Sequence, residues 1–151
     1  KVKVNWGGRN FNYDLPIRNS PKEVENITFE DNAGTILKLS GEHTIYISVD
    51  PDLNSKAVLA GTEISKVLGK VFFIDVKAAF TKPAPNPNFP VITCENVSET
   101  QKVVVIQKGN ETSVSTTTSG CVYVEGPNED ELIRAADRLV YDLINIDIKE
   151  E

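Results

Sequence analysis

A strand–helix–strand pattern over residues 44–76 constrains the fold more than any other feature of the sequence. Residues 44–49 alternate between apolar and polar in the manner of a strand, and residues 71–76 form a compact apolar run that suits a buried strand. Between them, apolar residues recur at helical spacing over about residues 53–69. A pattern of this length predicts a right-handed βαβ unit, which contains a parallel pair of strands.

A second helix is predicted over about residues 128–145, near the end of the chain. Its apolar residues form one continuous stripe, which is typical of a helix that packs on a sheet. Asn128 can cap this helix, with Glu131 three residues on, in the manner of a capping box. In the first helix, Asp52 or Asn54 can serve as the cap.

Short strand patterns and turns account for most of the remaining chain. The proline-rich residues 82–90 must be an extended loop, because each proline restricts itself and the residue before it. The polar residues 110–120 predict a hairpin excursion. Strands are predicted at residues 2–6, 11–17, 27–30, 35–39, 90–94, 102–107 and 121–125.

Together these patterns predict the α+β class. We expect a mixed β-sheet packed by two helices (about 53–69 and 128–145), with a β-rich N-terminal segment and one βαβ unit. A chain of 151 residues fits one ordinary domain. We therefore predict a single domain over residues 1–151, with a β-rich N-terminal subregion at 1–42 and a core at 43–147.

Composition and charge exclude several classes of function. Hydrophobic residues make up 40% and charged residues 25% of the chain, which is typical of a globular protein. The net charge is −6, and no run of Lys and Arg forms a basic stripe, so nucleic acid and anionic membrane surfaces are disfavoured partners. No apolar run approaches the roughly 20 residues that span a bilayer. Because the chain contains no Met, we expect a processed chain or an excised fragment, in which a missing leader says nothing about the parent protein.

The two cysteines, Cys94 and Cys121, predict a disulfide. Both lie on apolar segments that resemble strands, and two such strands placed as neighbours would bring the sulfurs together. The closed loop of about 28 residues would stabilise the fold by about 3 kcal/mol. Two buried free thiols are the plainer alternative. A metal or redox site is disfavoured because 26 residues separate the cysteines and the one histidine, His43, lies far away in sequence.

Three sequons are candidate N-glycosylation sites, at Asn26, Asn96 and Asn110. Asparagine is abundant in this chain, so matches arise by chance. Two of the sequons lie in turns near the cysteines, where a glycosylating enzyme could reach them. Together with a disulfide they favour an extracellular location.

A search for catalytic chemistry finds no constellation to propose. The sequence has no glycine-rich phosphate loop, no metalloprotease motif and no nucleophile elbow. Any catalytic mechanism that uses a histidine would need His43, which we expect to be exposed to solvent at the start of a strand. Acid pairs could serve glycoside hydrolysis, but with 22 acids such pairs arise by accident. Residues 50–54 resemble the opening of a calcium loop, yet Ser55 and Gly61 stand where that loop needs Gly and Glu. Trp6 and Tyr13 could form a sugar-stacking surface, although core packing explains them more simply. We therefore predict no catalytic residue, no metal site and no cofactor.

Five stretches of the C-terminal part of the chain carry a resemblance to a known family: residues 91–96, 102–106, 109–112, 121–126 and 132–144. Together they resemble an extracellular domain of archaeal cell-surface and S-layer-like proteins. The resemblance covers about residues 43–147. The same strand-then-helix ending also resembles the small α+β domain that precedes the catalytic barrel in some glycosidases.

These resemblances imply a function without catalysis. The first implies an extracellular, glycosylated domain of the cell envelope with a structural or interaction role, whose partners are other envelope proteins or itself. Any membrane attachment would come through an anchor elsewhere in the parent protein. The second keeps open an alternative, an accessory carbohydrate-binding domain of a glycan-processing protein. The role of residues 1–42 is not implied by either resemblance.

Overall fold

The computed structural model describes residues 2–6, 9–13, 17–38, 43–84 and 89–144, and over residues 2–13 it describes the backbone alone. A two-stranded antiparallel sheet is formed by β1 (Val2–Trp6) and β2 (Arg9–Tyr13). The strands of a second, six-stranded sheet are β3 (Thr28–Phe29), β4 (Thr44–Val49), β5 (Asp75–Phe80), β6 (Gln101–Lys108), β7 (Ser113–Thr116) and β8 (Cys121–Gly126). The α+β class and the mixed sheet are confirmed.

The order of the larger sheet is β3-β7-β8-β6-β4-β5. Strands β5, β4, β6 and β8 run parallel, whereas β7 is antiparallel to β8 and parallel to β3. The predicted hairpin excursion therefore contains a strand of its own. Strand β8 follows it and lies between β7 and β6.

Three helices pack on one face of this sheet, within the described residues: α1 (Ala33–Lys38), α2 (Ser55–Lys66) and α3 (Glu129–Leu143). We call this the helical face. Because successive side chains of a strand point to opposite sides, Val104 and Ile106 of β6 belong to the helical core while Val103 and Val105 face the other way. That second face, the crossover face, is covered by residues 89–100, which we call the crossover segment. Its Ile92, Cys94 and Val97 pack against Val103 and Val105.

The strand–helix–strand unit is confirmed as β4-α2-β5, but its second strand begins at Asp75 and not at residue 71. Helix α2 continues through a π-helical turn, Val67–Val71, which buries Val71 and is followed by the buried Phe72. Phe73 then adopts a positive φ of 57° and is 77% exposed. The first part of the apolar run predicted to be a strand therefore ends a helix, because a helix end buries Val71 and Phe72 as a strand would.

The predicted strand at residues 35–39 is wrong, since helix α1 occupies the described part of it. Ala33 and Leu37 are one helical turn apart and fully buried. The helix start is capped from a distance: Gly34 N donates to Asp142 Oδ2 of α3 at 3.0 Å. A local pattern cannot show such a cap, because the two residues are 108 positions apart.

Two other strand predictions in these regions are corrected. Strand β2 ends at Tyr13, and residues 14–16 of the predicted strand 11–17 lie outside the described residues. Residues 90–94 form no strand: they make one bridge, Phe80 to Val91, and then enter the 3₁₀ turn Cys94–Asn96. Pro90 contributes to this, since proline has no N–H to donate to a ladder.

Both predicted helices are confirmed. Asn54 Oδ1 accepts from Lys56 N at 2.9 Å at the start of α2, and Asn128 Oδ1 accepts from Glu131 N at 3.0 Å at the start of α3. The Glu131 side chain bonds to Arg134 at 2.8 Å and 2.9 Å. Residues 145–147, the predicted end of the core, lie outside the described residues. None of the described helices is long and apolar enough to cross a membrane.

Candidate functional site: an apolar cleft beside the edge strand

An apolar cleft opens between α2 and the outermost parallel strands. After β5 the chain wraps around the sheet edge, where Val91 bridges Phe80, and continues onto the crossover face. Helix α2 therefore flanks the helical face of β5, and no helix after β5 covers this face within residues 81–84 and 89–100. The cleft has a volume of about 160 Å³. It is lined by Ile47, Val49, Val58, Gly61, Thr62, Ser65, Ala78, Ala79, Phe80 and Phe89.

The chemistry of the cleft suits an apolar partner. Val58 is 57% exposed and Phe89 is 46% exposed, and the Phe89 ring meets Phe80 edge-on, with centroids 5.4 Å apart. The lining includes no acid, base or thiol. The Thr62 hydroxyl donates to Val58 O at 2.9 Å, so it is already hydrogen-bonded within α2. The cleft can bury apolar surface, and its lining holds no acid or base that could activate the Thr62 or Ser65 hydroxyl.

The outer edge of β5 adjoins this cleft. Phe80 N donates to Pro90 O at 2.9 Å, and Ile92 N donates to Phe80 O at 2.9 Å, so Phe80 directs both backbone groups outward. Alternation along a strand gives Val76 and Ala78 the same outward direction. Over residues 75–79, no other strand of the described chain pairs with this edge. We refer to the cleft and this edge together as the cleft–edge surface.

Charged residues lie at the carboxyl end of β4, beyond the cleft. Lys82 Nζ forms ion pairs with Asp52 and, at 3.8 Å, with Asp50. The hydrogen bond with Asp52 raises the pKa of Lys82 above its usual value. Asp50 Oδ1 also accepts from Asp52 N at 2.9 Å. These acids are thus engaged locally, and no three acid, Cys or His side chains converge as metal ligands in the described ranges.

A pair of buried carboxyl groups joins α2 to α3. Glu63 is 2% exposed and Asp137 is fully buried. Burial, and then a hydrogen bond with Asp137 and the charge of Asp137, raise the pKa of Glu63 to about 10. No donor from the described chain reaches either Glu63 oxygen or Asp137 Oδ1, which fits a proton held between the two groups.

Residues 18 and 19 close this pair off from solvent. Arg18 Nε lies 3.4 Å from Glu63 Oε1, a distance at which a charged Glu63 would form an ion pair. Because the Arg18 side chain is 52% exposed, its charge is screened, and the burial of Glu63 prevails. Asn19 donates to Asp137 Oδ2 from both N and Nδ2 at 2.8 Å, and Tyr141 Oη donates to Asn19 O at 2.6 Å. The arrangement attaches the N-terminal segment to α2 and α3, where residues 18 and 19 cover the pair.

The predicted disulfide between Cys94 and Cys121 is confirmed, with the two Cα atoms 5.6 Å apart. The predicted geometry is wrong, because the two cysteines do not lie on neighbouring strands. Cys94 lies in the 3₁₀ turn of the crossover segment, and Cys121 projects toward it from β8. The bond therefore links the covering segment to the face of the sheet.

All three sequon asparagines, Asn26, Asn96 and Asn110, are exposed. Asn26 precedes β3, and Asn110 lies in the turn between β6 and β7. Asn96 Oδ1 accepts from Thr93 N at 2.9 Å, so part of its carboxamide stabilises the turn that carries Cys94. Glycosylation at these residues stays a prediction.

His43 is half-buried, and its Nε2 lies 3.2 Å from Leu37 O. The prediction of a solvated position is therefore wrong, and the ring contacts the last turn of α1. Trp6 and Tyr13 lie at opposite ends of the β1-β2 ladder, where Trp6 pairs with Arg9 and Tyr13 pairs with Val2. The register does not make them neighbours.

The sequence offered a signal for the acid pair, but not for the cleft. Glu63 and Asp137 each fall among the buried positions of an amphipathic helix, and a charged residue there needs a partner. The cleft depends on where the chain goes after β5, which no local pattern specifies.

Fold and site together define a disulfide-linked α+β domain with an exposed apolar cleft beside an edge strand. The chain matches no protein-family model, no curated protein and no solved structure in the comparisons.

Proposed function

We propose that this chain is a non-catalytic, S-layer-like domain of the cell surface, which works through protein contacts made by the cleft–edge surface. The observation that carries the proposal is the apolar cleft, in which Val58 and Phe89 are exposed beside an edge of β5 that no other strand of the described residues covers over 75–79. Exposed apolar surface of this kind is typical of sites that bind proteins.

The disulfide supports a location outside the cytoplasm. Bonds between cysteines persist in oxidising compartments, while cytosolic thiols are kept reduced. The exposed sequon residues Asn26, Asn96 and Asn110 are compatible with the same location. Alkylation of the protein in intact source cells, followed by mass spectrometry without reduction, tests this part. Cys94 and Cys121 should resist alkylation, and modification of both would contradict an oxidising location.

The character of the described acids supports a role without catalysis. The pKa of Glu63 is raised to about 10, but the segment at Arg18 and Asn19 covers Glu63 and its neighbour Asp137. An acid that acts on a substrate must come within hydrogen-bond reach of it. The pair is better explained as part of the packing between α2 and α3.

Binding to washed cell envelopes from the source organism tests the role of the cleft. Val58→Glu places a charge in the cleft and should weaken binding by about tenfold or more, since burying an unpaired charge is costly. Leu59→Glu is the matched control: Leu59 is the next residue of α2, is 37% exposed and does not line the cleft. We expect L59E to bind like the unaltered protein, and equal losses in both variants would argue against a role for the cleft.

Two treatments of the envelopes separate protein contacts from carbohydrate binding. Protease treatment should abolish binding if the receptor is a protein. Loss of binding after periodate oxidation of glycans, with V58E still bound, would support the carbohydrate-binding alternative and overturn the proposal.

A further inference from the structure

The part of the outer β5 edge that can pair with another strand is short. At its carboxyl end, Phe80 already pairs with residues 90–92 of the crossover segment. At its amino end, Ile74 N donates to Leu68 O at 3.0 Å. Between Ile74 and Phe80, Val76 and Ala78 direct their backbone N–H and C=O groups away from β4. An incoming strand can therefore engage only this stretch.

The charges on this stretch have a self-complementary spacing. Asp75 and Lys77 lie two residues apart on the same side of β5, with side chains 61% and 56% exposed. Within one chain they approach to 4.0 Å, and Thr44 Oγ1 donates to Asp75 Oδ2 at 3.2 Å. Lone charges on an edge discourage unselective pairing. An acid and a base at this spacing match an antiparallel strand that carries the same two charges, and a second copy of β5 is such a strand.

Two copies of β5 related by a two-fold axis can pair antiparallel in only a few registers that place their outward backbone groups opposite each other. A two-fold axis at Asp75 places like acids together, and an axis at Lys77 places like bases together; like charges directly opposite are unfavourable. An axis at Ala78 places neither Asp75 nor Lys77 opposite a charge of the other sign. An axis at Val76 places each Asp75 opposite the partner's Lys77, and the Val76 pair supplies the central hydrogen bonds while Ile74 N remains bonded to Leu68 O.

We propose that two copies of this chain associate by antiparallel pairing of their β5 strands about Val76. In this register Val76 pairs with its counterpart as a hydrogen-bonded pair, and Asp75 and Lys77 form the closer non-hydrogen-bonded pairs on either side. The two-fold axis is perpendicular to the sheet, so the two apolar clefts lie on the same side of a continuous sheet. The inference rests on the proposed function, because it names a partner for the same surface.

Charge reversal tests the register. Asp75→Lys gives a chain with two lysines at the edge, and Lys77→Asp gives a chain with two aspartates. Sedimentation equilibrium should show dimers of the unaltered protein, dimerisation at least about tenfold weaker for each single variant, and restored dimers for the double variant D75K/K77D. Glu99→Lys, an exposed charge reversal on the crossover segment, is the control and should dimerise normally.

Mixing the two single variants gives the sharpest result. D75K and K77D chains should form a mixed dimer with each other, since every cross-strand pair is then opposite in charge. A protein that stays monomeric at about 1 mM would overturn the inference, as would single variants that dimerise normally or a mixture that stays monomeric.

A second measurement does not depend on charge. Val76→Cys places a thiol opposite its counterpart at a Cα separation of about 5.5 Å, within disulfide range. Mild oxidation should link V76C chains in pairs, while the exposed control Glu99→Cys should not be linked faster than random collision allows. Equal rates would overturn the inference. Because these experiments use purified protein alone, their failure with envelope binding intact would reject the second copy as partner and leave the proposed function standing.

Discussion

Glu63 shows how one buried residue can make the stability of a domain depend on pH. In the native state its carboxyl group is buried beside Asp137 between α2 and α3, and burial together with Asp137 raises its pKa to about 10. In the unfolded chain the same group has an ordinary pKa near 4.5. Between these values the native state binds one more proton than the unfolded state. The contribution of Glu63 to the free energy of unfolding is therefore largest below pH 4.5, and it falls as the pH rises toward 10.

Glu63→Gln tests this linkage. The glutamine can still donate to Asp137, but it exchanges no proton on unfolding. We expect the stability of E63Q relative to the unaltered protein to rise with pH, by up to about 1.4 kcal/mol per pH unit between pH 5 and 9. Urea unfolding at several pH values measures this difference, with the exposed Glu99→Gln as control. Parallel pH profiles for E63Q and the unaltered protein would show that Glu63 is ionised when folded.

At the scale of elements, the sequence predicts the helices whose caps and apolar pattern depend on neighbouring residues alone. The caps at Asn54 and Asn128 act within one turn, and the apolar periodicities of α2 and α3 repeat within each helix, so both helices could be predicted. Helix α1 could not, because Asp142 caps it from the far end of the chain. The start of β5 was misplaced because residues 71–74 could be buried equally well by a strand or by a helix end. The disulfide was predictable as a pair of residues, but its role in attaching the crossover segment was not.

The disulfide should stabilise the protein, because it attaches the crossover segment to the sheet. The double variant C94A/C121A removes the bond without leaving a free thiol. Because the bond closes a sequence separation of 27 residues, we expect the free energy of unfolding to fall by about 3 to 4 kcal/mol. Chemical denaturation of this variant, and of the unaltered protein with reductant, should give the same midpoint. A midpoint that reductant does not move would contradict a stabilising bond.

The junction of β8 with α3 should tolerate no larger residue than glycine. A Cβ on Gly126 would lie 2.9 Å from the Glu131 carbonyl carbon and 3.0 Å from Leu132 N, which are backbone atoms of α3. Gly126→Ala should therefore lower the free energy of unfolding by about 1 to 3 kcal/mol. At Gly69, the nearest atom to an added Cβ is Ile74 O at 3.9 Å, so Gly69→Ala is a control that thermal unfolding should show to be tolerated.

At the scale of the molecule, the larger sheet differs sharply at its two ends. At one end β3 has only two residues, and Arg138 lies over its Phe29 ring at 4.0 Å. A very short edge strand offers little to an incoming chain. At the other end β5 has six residues, an outward backbone at Val76 and Ala78, and the apolar cleft beside it. The crossover segment covers the second face of the sheet and is fixed there by the disulfide. We therefore expect association at the β5 end of the sheet.

Hydrogen exchange at low and high protein concentration tests that asymmetry directly, since an amide that becomes hydrogen-bonded in an interface exchanges more slowly. The β5 edge should gain protection as concentration rises, in peptides that cover residues 74–80, while peptides that cover Thr28–Phe29 should not change. Protection that appears at β3, or exchange at β5 that is the same at every concentration, would contradict the pairing of two copies through the β5 edge.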